Sequence, residues 1–390
     1  MKRQASPPRP DFAAHAAEIG FHFAGADGQV YWDESIRYAF SLAQIENDLE
    51  SATAELGALC LDLVDRVVGD AAALARLNIP RHAQAAIAAS WARRDPSLYG
   101  RFDFAYDGKG PPKLLEYNAD TPTSLFESAV VQWYWLEQLI ARGDLPAGAD
   151  QFNSLHEKLI ARWTAIGDGR FLHLACVLDS IEDSGTTAYL EECARQAGLR
   201  TSVIAMADIG REMRGARDLG FRDRSGRQIE LLFKLYPWEW MFGEPSGYSA
   251  ALPALRVVEP AWKMILSNKG MLALLWEMAP GHPNLLPCFF EDSPEAETLG
   301  QSYARKPLFS REGANVTLVE GGRTVEATPG AYGAEGFVRQ ALRLLPDFDG
   351  HFPVCGCWLV GNEPAGLGIR EDSSPVTSNA SRFVPHVILG

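Results

Sequence analysis

The chain has 390 residues, of which 47% are apolar and 22% charged, the balance of a globular protein with room for a substantial core. Its 36 Lys and Arg stand against 50 Asp and Glu, a net charge of -14, and no basic block could track a phosphate backbone, so nucleic acid is excluded as an expected partner. No apolar run approaches about 18 residues, and the first twenty residues hold Pro7, Pro8 and Pro10 without an apolar centre. Neither a membrane span nor a signal peptide is expected, and the protein is assigned to the cytoplasm.

From Trp32 to Val68 apolar residues recur at three and four, as in Ile36, Phe40, Ile45 and Leu49, which predicts one or two long amphipathic helices with Asp33 as the cap. A further helix is predicted from Arg81 to Arg93, ended by Asp95-Pro96. A helical lead thus occupies about residues 1–98. Next, Arg101–Tyr106 and Lys113–Asn118 alternate about Asp107-Gly108-Lys109-Gly110, the pattern of a β-hairpin. Strands are expected at 171–178, 201–205, 229–235, 303–308, 316–320, 323–327 and 354–360, with helices near 124–141, 184–197 and 269–278. Segments 144–150 and 206–217 are the softest. The class is α+β, read as a single domain over 1–390 with mixed and antiparallel sheets.

The six cysteines, at 60, 176, 193, 288, 355 and 357, form no C-x-x-C pair, and Cys355 and Cys357 read as buried thiols on one strand face. The eight histidines are dispersed without i, i+4 spacing, which disfavours a zinc hydrolase. Neither G-x-S-x-G nor G-x-x-x-x-G-K-[ST] occurs, so serine-hydrolase and P-loop readings have no support.

The hairpin carries the chemistry. Alternation puts Arg101 and Asp103 on one strand face, and Glu116 and Asn118 on one face of the return strand. A cation, two carboxylates and an amide can therefore converge. These hard oxygen atoms suit magnesium, and an arginine beside them suits a transferring phosphoryl group. The same spacing fits a solvated face with an Arg–Asp pair, and spacing alone does not choose.

R-F-D-F at 101–104 and L-L-E-Y-N-A-D-T-P-T at 114–123, followed by N-K-G at 268–270, A-R-K-P-L-F-S-R-E-G-A-N at 304–315 and L-G-I-R-E-D at 367–372, resemble the synthetase domain of the glutathionylspermidine synthase family, in particular relatives without its amidase domain. The resemblance implies an ATP-grasp fold and an ATP-dependent ligase that joins a small-molecule carboxylate to an amine through an acyl phosphate. A nucleotide-binding scaffold that has lost turnover is the alternative. The likeness implies that Asp103, Glu116 and Asn118 hold two magnesium ions and that Arg101, Phe102, Asp103, Lys269, Lys306, Gly313 and Gln340 line the ATP. Arg101 would contact the terminal phosphate, and Arg370 would stabilise the phosphoryl or acyl-phosphate charge.

Thr121 and Thr123 stand at positions that hold the peptide in the family, and Glu182 and Asp183 near its acidic pair for the amine. Leu235 replaces a hydroxyl used on glutathione, which points to another acid as substrate. Two of these expectations also have support from the residues alone. The segment Ser310–Asn315 is small and polar, as a loop covering phosphates must be, although an ordinary surface turn has the same composition. Lys306 lies in a predicted strand, where an inward lysine needs an anionic partner, although strand parity leaves its direction open.

Overall fold

In the computed structural model, residues 1–22, 25–26, 29–379 and 381–390 are described. In chain order the elements are β1 (Lys2–Ala5), α1 (Phe12–Glu18), β2 (Ile36–Phe40), a π-helical turn at Gln44–Glu50 leading into α2 (Ser51–Val67), α3 (Ala71–Arg76), α4 (Arg81–Ala92), β3 (Tyr99–Ala105) and β4 (Lys113–Asn118). A second π turn at Glu127–Val131 leads into α5 (Gln132–Arg142), followed by α6 (Leu155–Gly167), β5 (Phe171–Cys176), α7 (Ile181–Gln196), β6 (Arg200–Ala205), β7 (Gly210–Arg214), β8 (Arg217–Arg222), β9 (Leu231–Leu235), α8 (Trp238–Gly243), β10 (Arg256–Val258) and α9 (Gly270–Met278). The last third is mostly strand: β11 (Cys288–Phe290), β12 (Tyr303–Pro307), β13 (Thr317–Glu320), β14 (Arg323–Ala327), β15 (Phe337–Ala341), β16 (Phe352–Val360), β17 (Glu363–Asp372), β18 (Arg382–Val384) and β19 (His386–Ile388).

Three larger sheets surround the site. The central one is antiparallel, in the order β18-β17-β16-β3-β4. A parallel sheet, β10-β9-β5-β6, lies to one side, and an antiparallel sheet, β11-β15-β12-β13-β14, to the other. One core packs the apolar faces of α2, α4 and α9 against the back of the central sheet, with Leu56, Leu63, Ile87, Leu272, Phe102 and Phe104 all buried. Burying a side chain such as Phe104 contributes about 1.5–3 kcal/mol. Cys355 and Cys357 are on this same buried face, as their alternation suggests. Among the described residues, no helix is long and apolar enough to cross a membrane.

Two readings need correction. Residues 36–40 are not helical: Ile-Arg-Tyr-Ala-Phe pairs antiparallel with β1 and parallel with β19. The β-branched and aromatic residues favour a strand, and the pairing partners lie at the two ends of the chain, so local periodicity cannot reveal them. Asp33 does not cap a helix; it accepts hydrogen bonds from Ser35 and an ion pair from Arg382. The soft segment 206–217 contains β7 and ends at the start of β8, two strands that form a hairpin.

Candidate active site

The registers of the central sheet assemble the site. Glu116 pairs with Asp103, Asp103 with Gly356, and Gly356 with Gly368. One row across four strands therefore reads carboxylate, carboxylate, glycine, glycine. The glycines make an open floor. A Cβ on Gly356 would stand 2.8 Å from Cδ of Arg101, and one on Gly368 would stand 2.5 Å from Oγ of Ser128. Without those Cβ atoms the Arg101 side chain can lie across the sheet and reach Asp103 with Nε at 2.6 Å and a second nitrogen at 2.9 Å.

Asn118 completes the polar face: its Nδ2 is 3.0 Å from Asp103 and 3.2 Å from Glu116. Burial pushes the Asp103 carboxyl up against the pull of Arg101. Burial also acts upward on Glu116, but Lys269 and Lys306 outweigh it and bring that carboxyl down to about 2. Lys269 Nζ sits 3.0 Å from Glu116 and donates to the Ser310 carbonyl at 2.5 Å.

Among the described residues no group of three or more His, Cys, Asp and Glu could hold a metal. Two carboxylates plus one amide, with cations already close by, instead match the sparse oxygen set of magnesium, which leaves most positions to water and phosphate. The residues fit that ion.

Lys306 points inward. Its Nζ reaches the Leu115 carbonyl at 2.9 Å and Gln340 Oε1 at 2.8 Å, while Gln340 Nε2 donates to the Leu114 carbonyl at 3.0 Å. Burial pulls the Lys306 ammonium down to about 8 despite Glu116. Lys306 and Gln340 border a narrow space of about 90 Å³, walled by Ala304, Val316, Leu318 and Leu345. Gly313 has a φ of +68°, and a Cβ there would meet the Thr377 carbonyl at 2.4 Å. The loop can therefore pack on the 376–377 segment only with glycine at its tip. Phe102, expected against the nucleotide, turns the other way: its ring is fully buried, 4.1 Å from Tyr117 by centroids. Strand alternation requires this once Arg101 and Asp103 face the cleft.

The main cleft, about 280 Å³, brings together Arg101, Asp103, Glu116, Asn118, Thr121, Thr123, Glu182, Asp183, Leu235, Gly313 and Arg370. Arg370 is fixed by the carbonyls of Ser381 at 2.9 Å and Ser378 at 3.0 Å and by Ser124 Oγ at 3.0 Å. Thr121 and Leu235 are held near each other by a fully buried pair of neighbours. Lys234 Nζ lies 2.6 Å from Asp120, which also accepts from the Trp238 amide at 2.9 Å. Glu182 and Asp183 occupy the first turn of α7, beyond the carboxyl end of β5, with Ser180 as cap, the usual ligand side of a parallel sheet. Burial raises both, Glu182 to about 7, with help from Glu127, and Asp183 to about 6, with help from Glu312.

Several residues of the cleft were not singled out from the sequence. Arg311 bonds Thr121 Oγ1 at 2.5 Å and Glu239 at 2.6 Å, and it faces Trp240. Ser124 and the two floor glycines also line the cleft, and Glu127 lies behind it, in the space beyond Glu182. Arg311 and Asp120 lie inside the quoted motifs, which was an available signal. Glu127 sits in a predicted helix with nothing to distinguish it.

The profile described as glutathionylspermidine synthase preATP-grasp matches residues 3–389. A proposed acid–amine ligase of Haemophilus influenzae is 40% identical over 99% of both chains. The bifunctional glutathionylspermidine synthetase/amidase of Escherichia coli is 28% identical over 94% of this chain and 62% of its own length. Trypanothione synthetase of Crithidia fasciculata is 29% identical over 83% and 52% respectively, so this chain spans only part of these two longer relatives. Among solved structures, a glutathione synthetase-like effector of Globodera pallida aligns over 99% of this chain and 100% of its own with a TM-score of 0.56 at 10% identity, a likeness of fold alone. The chain belongs to the glutathionylspermidine synthase preATP-grasp family.

Proposed function

We propose that the protein is an ATP- and magnesium-dependent ligase of ATP-grasp type, one unit over 1–390, that joins a carboxylate to an amine through an acyl phosphate. The observation that carries this reading is the convergence of Arg101, Lys269, Lys306 and Arg370 on a face with two carboxylates and an amide, beside a narrow apolar slot. Family membership and the ligase and synthetase names of the relatives support it.

Asp103, Glu116 and Asn118 would hold magnesium, which when bound neutralises phosphate charge. The slot beside Gln340 suits a flat base, and Lys269 and Lys306 suit the phosphates, with the Gly313 loop above them. Arg101 and Arg370 face the place where charge develops on the transferred phosphoryl group. A carboxylate oxygen attacks the γ-phosphorus, the bond to ADP breaks, and an acyl phosphate forms. The amine nitrogen then attacks the acyl carbon and the carbon–oxygen bond to phosphate breaks. Inorganic phosphate leaves, and the nitrogen's proton passes to the Glu182 carboxylate.

Thr121 and Thr123 offer hydroxyls to a peptide or amino-acid substrate. Leu235 offers none, so the acid differs from glutathione. The test is magnesium- and amine-dependent ADP release over a panel of amino acids and small peptides that includes glutathione. Release with one acid, absent from Asp103→Ala, supports the reading. An enzyme that binds ATP but releases no ADP with any pair would point to a nucleotide-binding scaffold.

A further inference from the structure

Beyond Glu182 the cleft continues into a second compartment to which no role has been given. It is a chamber of about 610 Å³ between residues 19–22, Phe126–Glu127 and one side of α7. Phe21, Phe126, Leu178, Ile181 and Tyr189 give it an apolar wall, in which Leu178 and Ile181 are 46% and 64% exposed. Apolar surface left open beside a polar cleft is a frequent mark of ligand binding.

Two carboxyl groups stand where the spaces meet. Glu182 lines both. Glu127 lines the chamber and is only 4% exposed; Tyr31 donates to its Oε1 at 2.8 Å, and no other described side chain donates to either of its oxygens. Burial raises the Glu127 carboxyl, opposed in part by Arg370. A cation with its own donors would relieve both groups, because buried charge is costly until it is paired.

We propose that this chamber binds the amine substrate, with the primary ammonium between Glu127 and Glu182 and an uncharged alkyl or aryl chain against the apolar wall. The inference rests on the ligase reading for the fate of the amine, and on the chamber alone for its binding. An amine with further charges along its chain fits poorly. A second ammonium would meet Phe21, Phe126 and Ile181 without a partner, and the third carboxylate of the lining, Glu192, already accepts from Gln196 at 3.0 Å.

The test is calorimetric titration of the full chain at pH 8 with n-hexylamine, methylamine, hexan-1-ol and spermidine. Hexylamine is expected to bind at least about tenfold tighter than each of the other three, since several buried methylene groups exceed the roughly 1.4 kcal/mol that a factor of ten requires. Ile181→Ser and Glu127→Gln should each weaken hexylamine about tenfold. Melting temperatures without ligand report whether each variant is folded, and Ile181 is exposed enough to tolerate the change. Equal affinity for hexylamine and methylamine, tighter binding of spermidine, or an unchanged Ile181→Ser variant would overturn the proposal. Titration of magnesium and ATP into the same samples separates the two claims. ATP binding without chain preference defeats the chamber alone, whereas chain preference without ATP binding defeats the ligase reading alone.

Discussion

The two halves of the cleft are built differently. On the half assigned to ATP, Asp103, Glu116, Asn118, Lys306 and Gln340 all stand on paired strands, and each is within hydrogen-bond reach of another or of a neighbouring carbonyl. On the half assigned to acid and amine, Thr121, Thr123, Glu182, Asp183 and Trp240 stand just past strand ends or on the first turns of helices. The strand-borne half is fixed by sheet register and leaves little freedom. The end-borne half can change residue by residue without disturbing a sheet. On the proposed reading, phosphoryl transfer is carried by the first half and substrate choice by the second.

The largest expected effect tests the rigid half. Asp103→Ala should lower magnesium-dependent turnover by about 10³-fold or more, and Asp103→Asn, which leaves the buried Arg101 a hydrogen-bond acceptor, should also lose turnover with little change in melting temperature. A variant that melts far below wild type yet stays active when cold would make the face structural instead. Arg370→Ala should cost about 10²–10³-fold in kcat with ATP binding largely kept. A change confined to KM would move Arg370 from transition-state stabilisation to ground-state binding.

A smaller effect comes from Lys306. Its ammonium is held down at about 8 in the free protein, and phosphate should raise it. ATP binding should therefore take up a proton near pH 8, and affinity should fall as pH rises above about 8, by up to tenfold per unit. Calorimetry in buffers of different ionisation heat reads this directly, and Lys306→Ala should remove it. Unchanged affinity between pH 7 and 9.5 would show that Lys306 does not meet the phosphates.

On the adaptable half, Glu182 near 7 and Asp183 near 6 are raised by burial, so both gain charge as pH rises through 6 to 7. Amine binding should strengthen over that window, with Glu182→Gln removing the part near pH 7 and leaving the part near pH 6 that Asp183 supplies. A flat profile in wild type would remove this pair from amine recognition. The smallest effect is Leu235→Thr, which should improve use of glutathione roughly tenfold by restoring one hydrogen bond worth about 1–1.5 kcal/mol. Equal use of glutathione by both forms would show that Leu235 does not set the acid.

Legibility from sequence follows the same division. Arg101, Asp103, Glu116 and Asn118 could be placed on one face because a strand has period two and the hairpin turn was recognisable. The direction of Lys306 was open until β12 was paired with β15, which fixes its row. The glycine floor under Arg101 was invisible, since Gly356 and Gly368 matter only through the registers that put them beside Asp103. The Asp120–Lys234 pair joins residues 114 apart, and Ile36–Phe40 owes its strand to partners at both chain ends. Such long-range choices leave no local period to read.

The central claim is that a carboxylate is activated as an acyl phosphate, and hydroxylamine tests it most directly because it captures such an intermediate without an amine subsite. With magnesium, ATP and the acid that supports turnover, hydroxylamine should yield one hydroxamate for each ADP, and Asp103→Ala should yield none. ADP release with no hydroxamate for every acid, or release of AMP in place of ADP, would contradict the account.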